Sequence, residues 1–264
     1  MKNGKQNSFK KGSHPKQKHD LDKIYTKPSQ ALKLISELNL PDFDIIFEPS
    51  AGNGSFSNQI KNCIAIDIDP EQLNIKKENF LTSNYNFNNK KVLVIGNPPF
   101  GKQNSLAIKF FNKASLFANT IAFILPKTFK KDSIKDKLNL NFHLIKQINI
   151  CETFLLNGKD FNVPCLFQIW EKQNIKRKKT VKLIPKSFGF VKYEDNPDYA
   201  IRRVGLNAGK IVDDYKNTSK SSHYYVITDD KNFKDRVGKI KWGHDNTVGP
   251  RSISKNELIK KIDY

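Results

Sequence analysis

Val92-Leu93-Val94-Ile95-Gly96-Asn97-Pro98-Pro99-Phe100 is an apolar run that stops at a stiff polar turn. The turn is suited to hold an amine. The Asn97 side-chain oxygen and the Pro98 carbonyl can both accept from one NH2 group, and the two proline rings fix that geometry. Phe100 follows at once with a flat face for stacking. In an aromatic amine the nitrogen lone pair is delocalised into the ring, so the nitrogen is a poor nucleophile until two acceptors draw it toward tetrahedral geometry. A strand that simply ends in an Asn-Pro turn is the plainer reading of these four residues taken alone.

Outward from this run, short apolar stretches alternate with helix-length segments. Phe43 to Phe47, Ile64 to Ile68, Lys91 to Ile95, Ile121 to Leu125, Phe142 to Ile150 and Cys165 to Trp170 read as strands. Residues 29–38, Ser55 to Ile60, Ser105 to Phe117 and Asp132 to Leu138 read as helices. The alternation predicts an α/β domain with a mainly parallel sheet, which binds ligands beyond the carboxyl ends of its strands. Ile121 to Lys127 reads as core. The first 20 residues are polar and charged, which predicts a disordered arm. Order is expected from 21 to 172, and the basic run Lys176-Arg177-Lys178-Lys179 reads as a linker before a separate region at 173–264.

Two further motifs precede the turn. Glu48-Pro49-Ser50-Ala51-Gly52-Asn53-Gly54 follows the first strand, and Gly52 and Gly54 allow a tight bend and close backbone approach to a ligand. The next strand ends Asp67-Ile68-Asp69-Pro70, with a carboxylate placed to accept from a ribose diol. Each alone is ordinary loop chemistry. In this order, with the Asn-Pro-Pro-Phe turn behind them, they point to a nucleoside-type ligand.

Over Tyr25 to Lys172 the chain resembles class I S-adenosylmethionine-dependent methyltransferases, specifically those that modify the N6 amine of adenine in nucleic acid with the gamma order of motifs. The resemblance implies a Rossmann-like, mostly parallel sheet with an antiparallel last strand and a small C-terminal appendage. It also implies S-adenosylmethionine as cofactor. Tyr25, Thr26 and Pro28 match the segment that touches the methionine part of that cofactor. Glu48 to Gly54, including Pro49, Ser50 and Gly52, match its loop, with Glu48 near the methionine ammonium. Asp67 and Ile68 match the ribose site, with Asp69 assigned to the turn, and Asn79 and Phe80 match the adenine site, where Asp is commoner than Asn. Asn97, Pro98, Pro99 and Phe100 match the catalytic turn, with Phe for the commoner Tyr, which keeps stacking and loses a hydroxyl. Phe161 is a candidate second wall for a flipped base, and an apolar anchor at a strand entrance is its equal alternative. The implied chemistry is in-line attack of the amine on the sulfonium methyl group, with the base flipped out or unpaired.

The net charge of +20 points to a polyanion. Its distribution is uneven: residues 1–29 carry eight Lys against two Asp, residues 30–171 sixteen Lys against thirteen acids, and residues 172–264 22 basic against 11 acidic groups. The excess of 41 Lys over five Arg, with 28 Asn, is also what A+T-rich coding produces. Cations there interleave with Tyr193, Tyr199, Tyr215, Tyr224, Tyr225 and Trp242, so nucleic-acid recognition is expected in this region, with Arg202 and Arg203 as substrate contacts. The same aromatics also suit the core of a small appended fold. Three scattered cysteines offer neither a disulfide frame nor a metal site. No apolar run has membrane-spanning length and no secretory signal is seen, so a soluble intracellular protein is expected.

The reading favours DNA as substrate. RNA adenine or guanine amino-methylation is the alternative, as is a nucleic-acid-binding subunit of the same fold that depends on a protein partner for target recognition. Protein-glutamine methylation fits less well, given the basic arm and Phe in place of Tyr.

Overall fold

The computed structural model describes residues 24–156, 158–242 and 251–264. The expected arm at 1–20 lies outside them. The chain opens with β1 (Ile24–Tyr25) and α1 (Pro28–Ile35), then β2 (Ile45–Glu48), β3 (Ile64–Asp67), β4 (Lys76–Lys77) and β5 (Val92–Gly96). It continues through α2 (Ser105–Ala114), β6 (Thr120–Pro126), α3 (Asp132–Lys135) and β7 (Phe142–Ile150), the hairpin β8 (Phe154–Leu156) and β9 (Lys159–Phe161), and β10 (Cys165–Lys172).

Seven strands form one sheet in the order β4-β3-β2-β5-β6-β10-β7. All are parallel except β10, which runs antiparallel to both β6 and β7. From β2 the chain moves outward through β3 and β4, then returns to lay β5 on the other side of β2. The loops after β2 and β5 therefore diverge and leave a crevice at the carboxyl ends.

The unbroken apolar runs of β5 and β6 make sense because both sheet faces are covered. Val92 and Val94 point to one face, where α2 supplies Ala107, Phe110, Phe111 and Ala114. Leu93 and Ile95 point to the other, where α1 supplies Ala31, Leu34 and Ile35. Between β4 and β5 aromatic packing takes the place of a helix: Tyr85 and Phe87 lie against Phe47, at 4.9 and 5.9 Å between ring centroids.

The helix expected at Ser55 to Ile60 does not form. Only a 3-10 turn, Ser57–Gln59, is present. Six residues rich in Ser and Asn offer weak helix propensity, and Asn62 at φ 59° turns the chain straight into β3. α3 is one turn long, shorter than the reading to Leu138.

Residues beyond 172 build a separate antiparallel sheet in the order β11-β14-β12-β13, from β11 (Gly189–Val191), β12 (Tyr199–Arg202), β13 (Ile211–Val212) and β14 (His223–Ile227). The helices α4 (Phe233–Gly238) and α5 (Lys255–Asp263) pack on it around Phe188, Ile201, Val226, Phe233 and Leu258. A capping box starts α5: Glu257 N–H donates to Ser254 Oγ at 3.2 Å and Ser254 N–H to Glu257 Oε2 at 2.7 Å. The run at 176–179 is not a free linker. Arg177 lies over Trp170 and donates to the Phe142 and Lys135 carbonyls. Lys131 Nζ reaches Ser252 Oγ at 2.6 Å, a second tie between the two units.

Phe111 is fully buried, edge-on to Trp170 at 5.4 Å and Phe142 at 5.8 Å. Phe111→Ala is expected to cost roughly 3–5 kcal/mol, read as a lowered urea midpoint with an unchanged slope.

Candidate active site

A cavity of about 570 Å³ opens at the carboxyl ends of β2, β3 and β5. Glu48 ends β2, Asp67 ends β3, and Asn97 follows β5; all three line it.

Glu48 is only 2% exposed, and its Oε2 accepts from Ser57 N–H at 2.9 Å. Gly96, at φ 147°, lies directly above: a Cβ there would stand 3.3 Å from Glu48 Cγ, so glycine makes room for the carboxyl group. Burial pushes the Glu48 carboxyl up to about 8 against the hydrogen bond from Ser57 N–H, and the Asp67 charge adds to the rise.

Asp67 shapes the glycine loop. Its Oδ2 accepts from Gly52 N–H and its Oδ1 from Asp69 N–H, each at 2.8 Å. Gly52 sits at φ 53°, and a Cβ there would lie 2.7 Å from Tyr25 Cε1, so the Tyr25 ring rests against bare backbone. The Tyr25 hydroxyl donates to Glu71. Burial foremost, then this contact, raises the Tyr25 phenol well above its ordinary range.

Asn97 is held from behind. Its Nδ2 donates to the Ile24 carbonyl at 3.1 Å and to Thr26 Oγ1 at 3.3 Å, and its carbonyl accepts from Ser50 Oγ at 3.4 Å. Asn79 Oδ1 accepts from Leu81 N–H at 3.0 Å, forming a turn. This leaves its NH2 as the group with no hydrogen bond among the described residues.

The residues gathered here include Tyr25, Thr26, Glu48, Pro49, Ser50, Gly52, Asp67, Ile68, Asn79, Phe80, Asn97 and Pro99. Others assigned from sequence lie elsewhere. Pro28 is the first residue of α1, and Gly54 turns against Asn58. Pro98 is buried, and Phe100 packs against the apolar cores on both faces of the sheet, so the ring read as a stacking face is largely taken up by the fold. Phe161 is 37% exposed on β9, opposite Phe154. Arg202 donates to Val204 O, and Arg203 lies over Tyr224 at 5.6 Å, both within the C-terminal unit.

The sequence reading gave no role to Glu78, Leu106 and Phe110 and assigned Asp69 to the turn, yet all four line the wall. Leu106 and Phe110 stand four apart on α2, a spacing that reads as core. Glu78 directly precedes Asn79, and that adjacency was the available signal. Its carboxylate is pulled down to about 2 by hydrogen bonds from Lys76, Tyr85 and Ser83.

Glu48, Asp67, Asp69 and Glu78 thus face one cavity; among the described residues no Lys, Arg or His lines it, and Lys76 pairs with Glu78 at 2.6 Å from outside the lining. In a chain of net charge +20 this is a local inversion that favours a cationic ligand and repels a polyphosphate. Among the described residues no cluster of His, Cys, Asp and Glu could hold a metal ion, and no helix is long and apolar enough to cross a membrane.

No family model and no curated protein matches the chain. Solved structures that overlap it include a candidate RNA methyltransferase from Pyrococcus horikoshii, 17% identical with a TM-score of 0.42, over 55% of this chain and 83% of that one. The N-methyltransferase NodS from Bradyrhizobium japonicum is 11% identical with a TM-score of 0.37, over 56% and 94%. A candidate class I S-adenosylmethionine-dependent methyltransferase from Listeria monocytogenes is 14% identical with a TM-score of 0.38, over 58% and 60%. These likenesses are slight, and the fold assignment stands on strand order and direction. The sheet is Rossmann-like, mostly parallel with the one antiparallel strand β10.

Because Glu48 binds its proton more tightly folded (about 8) than at its ordinary value of 4.5, the folded state holds more protons between those pH values. Its contribution to stability is therefore fully present below about 4.5 and is lost as pH rises to about 8, with a slope of at most about 1.4 kcal/mol per pH unit. Denaturant titrations from pH 4.5 to 8 should show this component in the wild type and lack it in Glu48→Gln.

Proposed function

We propose that the protein transfers a methyl group from S-adenosylmethionine to the exocyclic N6 amine of adenine in nucleic acid, with DNA favoured over RNA. The observation that carries this reading is the opening of an oriented Asn97 amide into the same cavity as Glu48 and Asp67.

The donor set fits the cofactor. S-adenosylmethionine is cationic at its sulfonium and ammonium, and a cavity with Asp67 and Asp69 on its wall, Glu78 paired to Lys76 and Glu48 able to ionise suits it better than a dinucleotide or triphosphate. Glu48 would hold the ammonium, Asp67 the ribose, and Asn79 with Phe80 the adenine. When bound, the cofactor supplies an electrophilic methyl group. Asn97 Oδ1, on the cavity wall, accepts from the substrate amine, keeps its lone pair out of the ring and stabilises the positive charge that grows on nitrogen; the Pro98 carbonyl, which does not line the cavity, would have to turn toward the amine to act as the second acceptor. Holding amine and methyl in line is worth several kcal/mol, up to roughly 10. No tuned general base is needed before attack. A paired base cannot reach a cavity among strand ends, so the substrate is flipped out or unpaired.

Nucleic acid is supported by the charge of +20 and by the basic C-terminal third, whose separate fold at the edge of the catalytic unit is the natural place for target choice. DNA is favoured by the gamma motif order and the Tyr25-Thr26-Lys27-Pro28 segment.

The test is incubation with labelled S-adenosylmethionine and matched DNA and RNA pools, followed by nucleoside mass spectrometry. Label in 6-methyladenine of DNA is expected. Label confined to RNA overturns the DNA assignment, and cofactor binding without transfer to either points to a required partner. Asn97→Ala should keep cofactor affinity while lowering turnover at least about a hundredfold. Asp67→Asn should weaken the cofactor instead.

Cofactor binding should also release protons. Below about pH 8 the empty Glu48 is largely protonated, and an ammonium beside it favours the carboxylate. Calorimetry in two buffers of different ionisation enthalpy should show up to one proton released per cofactor at pH 7, and less in Glu48→Gln.

A further inference from the structure

We infer that Thr26, with the carbonyl of Ile24, is a positioning element that decides which end of the Asn97 amide meets the substrate amine. The inference rests on the proposed function. An Asn side chain presents an acceptor and a donor of nearly the same shape, and a half-turn about its last bond exchanges them at small steric cost. Only one orientation serves here. With Oδ1 forward the amide accepts from the incoming NH2; reversed, it sets one NH2 against another.

At Asn97 the choice is made on the far side of the amide. Nδ2 has two N–H groups, and two acceptors take them: the Ile24 carbonyl at 3.1 Å and Thr26 Oγ1 at 3.3 Å. In the flipped amide Oδ1 would oppose the Ile24 carbonyl, acceptor against acceptor. Oδ1 is left without a hydrogen-bond partner among the described residues, on a side chain that lines the cavity.

The two acceptors are themselves immobile. Thr26 is 2% exposed, and its carbonyl accepts from Ser55 Oγ at 2.6 Å. β1 is paired antiparallel with β8, Ile24 against Leu156 and Tyr25 against Leu155. Lys27, next in the chain, is anchored to Thr153 Oγ1 at 2.9 Å and to Asp160 at 2.8 Å. Strand β1 therefore cannot back away from Asn97 without breaking the β8–β9 hairpin contacts. This gives Thr26 a role through Asn97, where the resemblance assigns it to the cofactor.

The experiment compares Thr26→Val, which keeps the shape and removes the acceptor, with Thr26→Ser, which restores it. With one N–H left buried and unpaired, Thr26→Val should lower kcat about tenfold with cofactor Kd within about twofold of wild type, and Thr26→Ser should lie within about twofold of wild type in both. Loss of cofactor affinity with kcat intact makes Thr26 a cofactor contact and overturns the inference; so does no change in either quantity. A second measurement is independent of turnover. The Asn97 side-chain NH2 signals of 15N-labelled protein, assigned by their loss in Asn97→Asp, should shift and exchange faster with solvent in Thr26→Val and return in Thr26→Ser. An unmoved pair overturns the inference even if the wild type methylates nothing, an outcome that would sink the proposed function alone.

Discussion

The buried carboxyl group of Glu48 is the constraint around which the cavity is arranged. It ties the end of β2 to the loop beyond Gly54 through Ser57 N–H, and it requires Gly96 on the neighbouring strand because a side chain there would press on it. Burying such a group is costly unless it is neutral or paired. Burial accordingly holds it well above the ordinary carboxylate range. Gly96, the last residue of β5 at φ 147°, leads directly into Asn97, so the packing that accommodates Glu48 adjoins the start of the Asn-Pro-Pro-Phe turn.

Around that centre lie two networks. One runs from Asp67 through Gly52 to Tyr25 and shapes the glycine loop. The other runs from Asn97 through Ile24 and Thr26 to the β8–β9 hairpin and fixes the amide. Both meet on β1, two residues long, whose conformation depends on a hairpin some 130 residues later in the chain. The electrostatics have two layers in the same way. The Lys excess lies in the segments flanking 30–171, whereas the cavity wall carries acids.

Much of the fold was legible because strands buried on both faces are unbroken apolar runs. Val92 to Gly96 and Thr120 to Pro126 are such runs, and the α1 and α2 faces carry helical periodicity. Ser55 to Ile60 was not legible: its spacing suits a helix, but length, Ser and Asn content and the turn at Asn62 prevailed. The aromatic packing of Phe47, Tyr85 and Phe87 in place of a helix left no periodic signal. At the site, residues at strand ends were legible from Gly, Asp and Asn in order. Leu106 and Phe110 were not, since a helix residue facing a cavity and one facing core share the same spacing.

The sequence by itself determined the parallel sheet, the order of the Gly loop, the strand-end Asp67 and the Asn-Pro-Pro-Phe turn, and the split between a nearly charge-balanced segment at 30–171 and basic flanks. These are local properties: hydrophobic period, turn chemistry and charge, each written in a few adjacent residues. Only the tertiary structure decided that Phe100 is partly buried against the core, that Asn79 turns its oxygen into its own loop, that four acidic residues share one cavity, and that Thr26 reaches Asn97 across 71 residues. Burial, hydrogen-bond partners and the neighbours of a charge arise from contacts between segments far apart in the chain, and no short stretch encodes them.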